Sequence, residues 1–282
     1  MDSPLRSNGS ATRQALPTQS TRTPGRSRVA GRIDRVLSTA IGGERAAVLN
    51  VSVADLLAEP AVAAKIISAA LNRPGVGVMG HLMLQELLRR SKLYDELVNS
   101  LASPDPAVRA AAARVCAAAR LNETLLWITD MLRDPDPGAR DCAVRALAQL
   151  GGSGAVDALL AAGDSIPLYR LAIALSRASS DMDIELLMRQ PKSERAALAT
   201  VLAAGLKRDP LRVSPLLGIA HDRRWPKQVR VAATKALAMI ADRSASDALG
   251  RLAETEPDPA VKRAADRAHR RLVRRAMPGR PR

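Results

Sequence analysis

The sequence is poor in aromatic residues and in cysteine. Aromatic residues make up 1% of the chain, with no Phe, and there are two cysteines. The core must therefore be built from aliphatic side chains, and Ala-rich surfaces suit helices that pack closely. Cys116 and Cys142 lie in Ala-rich helical patterns. We interpret them as small buried residues in a reducing compartment, not as a disulfide.

Long apolar runs are also missing. The most apolar stretch, residues 159–175, is interrupted by Asp164, Pro167 and Arg170, whereas a membrane-spanning helix needs about 20 predominantly apolar residues. The N-terminus has no continuous apolar segment of the kind found in signal peptides. We therefore predict a protein without a transmembrane segment, located in the cytoplasm.

Acidic residues are scarce at the two ends of the chain. The net charge is +15, of which residues 1–32 carry +5 and residues 262–282 carry +8, while residues 33–261 carry only +2. A large positive charge is typical of proteins that bind nucleic acid or anionic surfaces. The positive charge lies at the two ends of the chain, so any such binding is expected there, and the body of the chain is nearly neutral.

The two basic ends differ in composition. Residues 1–32 are rich in Ser, Thr, Pro, Gly and Arg and predict a disordered tail, although an organelle transit peptide has a similar composition. Residues 261–276 predict a helix, followed by a frayed basic end at 277–282. Helix C-termini favour cations, but so dense a run predicts contact with an anionic surface. This basic C-terminal patch consists of Arg263, Arg270, Arg271, Arg274 and Arg275.

One phrase recurs along the chain. SPDPAVRAAAAR begins at Ser103 and EPDPAVKRAADR begins at Glu256. A proline followed by a basic residue recurs between and within these copies, at intervals of 25–35 residues, and such a period indicates a solenoid of stacked helical units. The basic residues are Arg109, Arg140, Arg170, Arg195, Arg230 and Lys262.

Each unit is predicted to be a helix, a turn and a second helix. Proline cannot continue a helix, so Asp105, Asp136 and Asp258 are predicted to cap second helices that begin at the following proline. Gly151 and Gly152 predict the end of one unit. Positions three and seven after the basic residue share one side of a helix and predict a buried stripe. These positions hold Ala112, Ala143, Ile173, Leu198, Ala233 and Ala265, and Cys116, Leu147, Arg177, Leu202, Leu237 and His269.

The segment DPDPGARDCAVRALAQLGGSGAVDALL resembles the short HEAT repeats of the phycobilisome-lyase type, with their Asp-Pro turn, Val-Arg pair and Gly ending. The resemblance implies an all-α fold, a right-handed α-solenoid over residues 33–276. The repeats are clear over 93–160 and 214–276 and degenerate over 33–92 and 161–213.

In such stacks the second helices line the concave wall. Five residues after the repeat Arg, a partial column of cations predicts a site for a protein partner with an acidic surface; the two middle units have Leu175 and Thr200 there. A solvated face, with Asp141 and Arg145 paired along one helix, is the alternative. The column itself consists of Arg114, Arg145, Lys235 and Arg267.

A second column, at the repeat arginines themselves, predicts a structural ladder between neighbouring units. Arg109, Arg140, Arg170 and Arg230 lie close in sequence to the acidic turns. Arginine forms strong paired hydrogen bonds with carboxylates. We expect Asp105, Asp136 and Asp258 to be near these arginines.

Enzymatic alternatives have less support. The resemblance implies bilin-lyase activity, but four aromatic residues make a poor tetrapyrrole pocket. HEAT-like DNA glycosylases use Trp and Asp in a basic cleft, whereas Trp127 is predicted on a first helix, away from the concave wall, and Trp127 and Trp225 are interpreted as packing residues. HEAT-like hydroxylases bind iron through His-Glu pairs, but His81, His221 and His269 are not followed by Glu. We predict no catalytic residue, cofactor or metal.

The sequence thus favours a non-catalytic scaffold or adaptor that binds a protein partner through the concave face of a HEAT-repeat solenoid. The first alternative is association with nucleic acid or another anionic surface through the basic termini. The second is a bilin-lyase-like chromophore attachment enzyme or chaperone.

Overall fold

The computed structural model describes residues 53–276 except positions 59, 73, 75–76 and 91, together with the isolated positions 31 and 35. Apart from position 31, the predicted tails at 1–32 and 277–282 lie outside the described residues. Within the described part every regular element is a helix, which confirms the all-α fold class. None of the described helices is long and apolar enough to span a bilayer.

The helices alternate between two rows. The first helices of the units, which form the outer row, are α4 (Leu93–Leu101), α6 (Leu125–Asp130), α8 (Gly152–Ala161), α10 (Asp181–Arg189), α12 (Val213–His221) and α14 (Ser246–Thr255). The second helices, which form the inner row, are α5 (Pro106–Ala118), α7 (Pro137–Leu150), α9 (Leu168–Ala178), α11 (Glu194–Lys207), α13 (Lys227–Ile240) and α15 (Pro259–Ala276). They are preceded by α1 (Val53–Ala58), α2 (Pro60–Leu71) and α3 (Gly77–Arg90).

The inner row forms the spine of the molecule. Each inner helix packs against the next one from α5 to α15, whereas neighbouring outer helices make much less contact with each other. Close spacing on one side and wide spacing on the other curve the stack, so the inner row lies on the concave side. The stack continues through the degenerate segment 161–213, because α9 packs on α7 and α11 packs on both α9 and α13.

The Asp-Pro turns start the inner helices as predicted. The Asp105 side chain accepts a hydrogen bond from the Ala107 amide at 2.8 Å, and Asp136 accepts one from Ala139 at 2.7 Å. Asp258 accepts from the amides of Ala260 and Val261 at 2.8 and 3.1 Å. Each of the three helices begins at the proline after its capping Asp, where the missing amide hydrogen costs nothing.

The predicted buried columns are wrong in the two middle units. The repeat Arg is the fourth residue of α5, α7 and α13, but Arg170 is the third residue of α9 and Arg195 the second residue of α11. Counting from the Arg therefore picks the wrong face of these two helices. Counting from the first helical residue gives fully or almost fully buried columns: Ala112, Ala143, Ala174, Thr200, Ala233 and Ala265, then Cys116, Leu147, Ala178, Ala204 and Leu237. The sixth member of the second column, His269, is half-buried.

Small residues allow the inner helices to approach closely. A Cβ atom at Gly205 of α11 would lie 2.7 Å from the Ala236 Cα of α13. No side chain of any size fits between the two backbones at this point. The many Ala and Gly residues thus fill the core and also allow neighbouring helices to approach closely, as the composition predicts.

Candidate partner-binding cleft

A cleft of about 520 Å³ opens on the concave side of the stack. Its floor is formed by α5, α7 and α9, and α2 forms its other wall. The residues that line it are Ala61, Ala64, Lys65, Ser68, Arg114, Cys142, Arg145, Ala146, Ala148, Gln149 and Arg177.

Helix α2 closes one side of the cleft because it reaches over two inner helices. It packs against α5, and the Gln149 amide of α7 donates a hydrogen bond to the Ser68 hydroxyl of α2 at 3.1 Å. Buried residues such as Ile67 and Leu71 hold α2 on the stack. Its polar residues Lys65 and Ser68 are left to face the cleft.

The cleft concentrates positive charge. Four of its lining side chains, Lys65, Arg114, Arg145 and Arg177, are cationic, and none of the lining residues is acidic. Within the part of the chain that the structure describes, none of the four forms an ion pair with a carboxylate. The cleft is therefore electropositive although the body of the chain is nearly neutral.

Arg145 does not pair with Asp141, the acidic residue one helical turn before it. The predicted pairing of Asp141 with Arg145 along α7 does not form, because Asp141 forms an ion pair with Arg170 of the next unit. Arg145 Nε instead donates to the backbone carbonyl of Asp141 at 3.2 Å. The predicted Asp141–Arg145 pair is therefore absent, although Arg145 is exposed to solvent as the solvated-face alternative expects.

The two predicted arginines of α5 and α7 converge on one point. Arg114 Nη2 lies 3.7 Å from Cys142 Sγ, and Arg145 Nη2 lies 4.0 Å from the same sulfur. Cys142 is 8% exposed, so it forms an apolar floor beneath the two guanidinium groups. A cysteine sulfur is only a weak hydrogen-bond acceptor, so it leaves these donors available to a ligand.

The other two predicted partner-binding cations do not join the cleft. Lys235 and Arg267 are the ninth residues of α13 and α15, the position that Arg114 and Arg145 hold in their helices, and both are exposed. Leu175 and Thr200, which interrupt the predicted column, are fully buried. The column of cations is thus interrupted at α9 and α11, whose ninth residues are Ser176 and Leu202.

Sequence reasoning missed Lys65 and Arg177. In the sequence Arg177 only interrupts the predicted buried stripe; in the structure it is the tenth residue of α9 and lines the cleft. The sequence could have located Arg177 at the surface, because a count from the predicted helix start places it outside the buried face. Lys65 has no such signal, because α2 belongs to the degenerate N-terminal segment and its position across the stack follows from no motif.

The repeat arginines form the predicted ladder, but with different acids. Arg109 Nε and Nη2 donate to the two carboxylate oxygens of Asp134, both at 2.7 Å. Arg230 Nη1 donates to Glu256 Oε1 at 3.1 Å, and its Nε donates to the Ala220 carbonyl at 3.0 Å. Asp134 and Glu256 are the first acids of their Asp-Pro-type turns. The second acids, expected to pair with the arginines, cap the helices instead.

The other arginines of this column make weaker versions of the same contact. Arg140 donates to the backbone carbonyls of Asp134 and Pro135 at 2.6 and 2.9 Å. Arg195 donates to the Gly163 carbonyl at 2.8 Å. Arg109, Arg195 and Arg230 thus tie their helices to a turn of a neighbouring unit, whereas Arg140 bonds the turn directly before its own helix.

Electrostatics agree with this structural role. The side-chain hydrogen bonds from Arg109 hold the pKa of Asp134 below its ordinary value. Burial acts to raise the pKa of Glu256, but hydrogen bonds from Arg230 and from the Asp258 amide outweigh it, so the Glu256 pKa is also lowered. Both carboxyls are thus ionised at neutral pH.

The C-terminal helix α15 carries a second basic surface. The predicted residues Arg263, Arg270, Arg271, Arg274 and Arg275 are all exposed. Arg270 pairs with Asp266 of the same helix, whereas the other four form no carboxylate ion pair within the described residues.

The features that raised enzymatic alternatives do not assemble into a site. Trp127 lies on the outer helix α6 and is 42% exposed, and Trp225 is half-buried before α13. His269 accepts or donates a hydrogen bond at the Ser246 hydroxyl, 3.3 Å away, as a packing contact between α14 and α15. Among the described residues no group of His, Cys, Asp and Glu has the arrangement of a metal site.

Comparison with protein families supplies the decisive match. Residues 94–176, which include α4 to most of α9, match the family model of HEAT repeats. Residues 94–176 contain HEAT repeats. The resemblance to HEAT repeats that the Asp-Pro turns indicated is thereby confirmed over this segment, and the all-helical, solenoid-like stack agrees with it.

Three solved structures resemble this HEAT-repeat chain, each with a low TM-score. Human deoxyhypusine hydroxylase in complex with glycerol is 18% identical, with 89% of this chain and 99% of that chain covered and a TM-score of 0.35. An engineered protein is 20% identical over 86% and 96% of the two chains, with a TM-score of 0.32. The complex of CpcE and CpcF of phycocyanin lyase from Nostoc is 19% identical over 77% and 89%, with a TM-score of 0.32.

These structural similarities carry no argument about activity. A comparison with curated proteins finds no matching sequence. The bilin-lyase alternative and the expected lack of catalysis therefore stay predictions, as does the cytoplasmic location.

Proposed function

We propose that this HEAT-repeat chain is a non-catalytic scaffold that binds an acidic segment of a protein partner in the cationic cleft. The observation that carries the proposal is the set of four cations, Lys65, Arg114, Arg145 and Arg177, that line one cleft and pair with no carboxylate among the residues that the structure describes. Like charges held together repel each other, and an acidic ligand relieves that repulsion while it gains charge-assisted hydrogen bonds.

The position of the cleft suits a protein ligand. Repeat solenoids bind partners on extended concave surfaces, and the cleft lies on that side, beside α5, α7 and α9. Its volume of about 520 Å³ is comparable with that of a small-ligand pocket. It therefore accommodates a few side chains of the partner, while the rest of the contact extends along the inner helices.

The test is a quantitative affinity capture from the native host with three forms of the full chain. The wild type is compared with Arg114→Gln/Arg145→Gln, which removes two cleft cations. The matched control is Lys235→Gln/Arg267→Gln, which removes two exposed cations from equivalent positions outside the cleft. Nuclease treatment removes contacts made through nucleic acid.

We expect at least one protein that the wild type and the control capture equally and that the cleft variant loses. Arg145, Lys235 and Arg267 are exposed and Arg114 is half-buried, so circular dichroism checks that each variant keeps the helical fold. Equal loss of every captured protein from both variants would contradict the proposal, because binding would then follow net charge and not the cleft.

Nucleic-acid association through the C-terminal helix is the second candidate. The observation that favours it is the exposed set Arg263, Arg271, Arg274 and Arg275 on α15, which form no carboxylate ion pair within the described part of the chain. Phosphate contacts of this kind show little sequence preference and weaken with salt, with a slope of about −0.9 in log K against log salt for each phosphate neutralised.

Duplex DNA of mixed sequence is the probe for this candidate. We expect changing these four arginines to glutamine to remove the salt-dependent binding, and the Arg114→Gln/Arg145→Gln variant to retain it. A salt slope that the four changes leave unaltered would rule out the helix as the contact.

A further inference from the structure

The two guanidinium groups in the cleft carry more positive charge at one point than a single carboxylate can neutralise. Arg114 and Arg145 come from successive inner helices and approach the same sulfur, at 3.7 and 4.0 Å. One carboxylate placed there neutralises one of the two charges and leaves the other uncompensated. Two carboxylates placed side by side repel each other. A single group with two negative charges neutralises both guanidinium groups without repulsion between two separate ligands.

The donors around this point also suit a group with several oxygen atoms. Two guanidinium groups present flat forks of N–H donors that match phosphate oxygens as pairs. Arg145 uses Nε to bond the Asp141 carbonyl at 3.2 Å, which orients its remaining nitrogens. The floor beneath them, Cys142 with Ala146, is largely apolar and carries no competing acid.

Further polar groups lie within the same cleft. Ser68 and Gln149 bond each other across it at 3.1 Å, and Lys65 and Arg177 add positive charge. A ligand that approaches along the inner helices thus meets additional cations around the two arginines. Acidic residues that flank the doubly charged group in the ligand chain have partners there.

We propose that the cleft recognises a phosphorylated side chain of the protein partner, with the dianionic phosphoryl group seated between Arg114 and Arg145. This inference rests on the proposed function, since it specifies the acidic ligand of the same cleft. Lys65 and Arg177 contact the acidic residues that flank the phosphorylated position. The α2 wall, held by the Ser68–Gln149 hydrogen bond, restricts the approach to a segment of chain.

The experiment measures binding of three fluorescent peptides to the full-length protein by anisotropy. The peptides share the same acidic flanks and differ at one central position, which is phosphoserine, glutamate or serine. We expect the phosphoserine peptide to bind about tenfold tighter than the glutamate peptide, because bidentate contacts to a dianion add to the charge. We expect this advantage to fall as the pH drops below about 6, where the phosphoryl group takes up a proton.

Two variants assign the effect to the arginines. Arg145→Lys keeps the charge but loses the planar fork, so it should lose most of the phosphoserine advantage and retain binding of the glutamate peptide. Lys235→Gln, outside the cleft, should change neither. Pyrophosphate is the competitor that distinguishes the source of the phosphoryl group.

The outcomes separate this inference from the proposed function. Equal affinities for the phosphoserine and glutamate peptides, both lost in Arg114→Gln/Arg145→Gln, would overturn the phosphoryl site and leave the acidic-segment site standing. Binding of no peptide, or binding that this variant leaves unchanged, would overturn both. Competition by pyrophosphate at concentrations well below the peptide's own dissociation constant would overturn a protein segment as the source.

Discussion

Breaking the buried ion pair between Arg230 and Glu256 should destabilise the C-terminal units strongly. The perturbation is Glu256→Gln, which keeps the side-chain shape and removes the charge. The two side chains are 6% and 3% exposed, and the Arg230 guanidinium is also held by the Ala220 carbonyl at 3.0 Å. The change therefore leaves a cation buried between α13 and the turn before α15, with no carboxylate to offset it.

The magnitude follows from burial. Removing one partner of a buried pair costs about 3–5 kcal/mol, because the remaining charge loses both water and counter-charge. With a denaturant slope of about 3 kcal/mol per molar urea, the upper end of the usual range and apt for a chain of this length, that corresponds to a midpoint shift of about 1–2 M. Replacing both partners with apolar residues, Arg230→Met/Glu256→Leu, should recover most of the loss, since no charge is then left buried.

The assay is urea unfolding followed by tryptophan fluorescence in a Trp127→Phe background. Trp225, the remaining indole, precedes α13 and reports on the units that contain the pair. Asp222→Asn is the matched control, because its partner Arg224 is 91% exposed and water replaces the lost charge. A midpoint shift for Glu256→Gln no larger than for Asp222→Asn would refute the assignment of Arg230 to a structural ladder.

Three further predictions concern packing, acid sensitivity and thiol reactivity. Gly205→Ala should destabilise the fold by about 1–3 kcal/mol, because its Cβ would lie 2.7 Å from the Ala236 Cα. Gly218→Ala has open space around it and should stabilise the fold by about 0.5–1 kcal/mol. Thermal unfolding of the two variants tests both expectations. Because the folded-state pKa of Glu256 is lowered, its contribution is present above the unfolded pKa of about 4.3 and is lost as the pH falls through the folded value. Acid titration should therefore destabilise the wild type more than Glu256→Gln, and parallel titration curves would contradict this. Burial raises the pKa of Cys116 to about 12, so iodoacetamide at neutral pH should leave it unmodified in the folded protein, and rapid labelling detected by mass spectrometry would show that α5 is not packed as described.

The fold was predictable wherever backbone chemistry dictates it. Asp105, Asp136 and Asp258 each precede a proline that cannot sit inside a helix, so the sequence marks the helix starts directly. The repeat arginines served less well as landmarks. Arg170 and Arg195 are the third and second residues of their helices, whereas their counterparts are fourth, so an offset counted from these arginines selects another face of the helix.

The candidate site was predictable only in part. Arg114 and Arg145 follow from the repeat. The position of Arg177 is found only when residues are counted from the start of α9 and not from the repeat arginine. Lys65 depends on how α2 lies across the stack, and long-range packing of a degenerate segment leaves no local pattern. The pairing of Asp141 with Arg170 is also a contact between units, which no spacing within one helix reveals.

The cationic cleft as the partner-binding surface is tested most directly by hydrogen exchange with an acidic peptide. Full-length protein is labelled in deuterium oxide with and without a saturating ten-residue oligoglutamate, and mass spectrometry maps the protected segments. The account predicts slower exchange in residues 60–71, because a ligand in the cleft holds α2 on the stack, with additional protection in 137–150. Protection confined to residues 259–276 would contradict it and would transfer binding to the basic C-terminal helix.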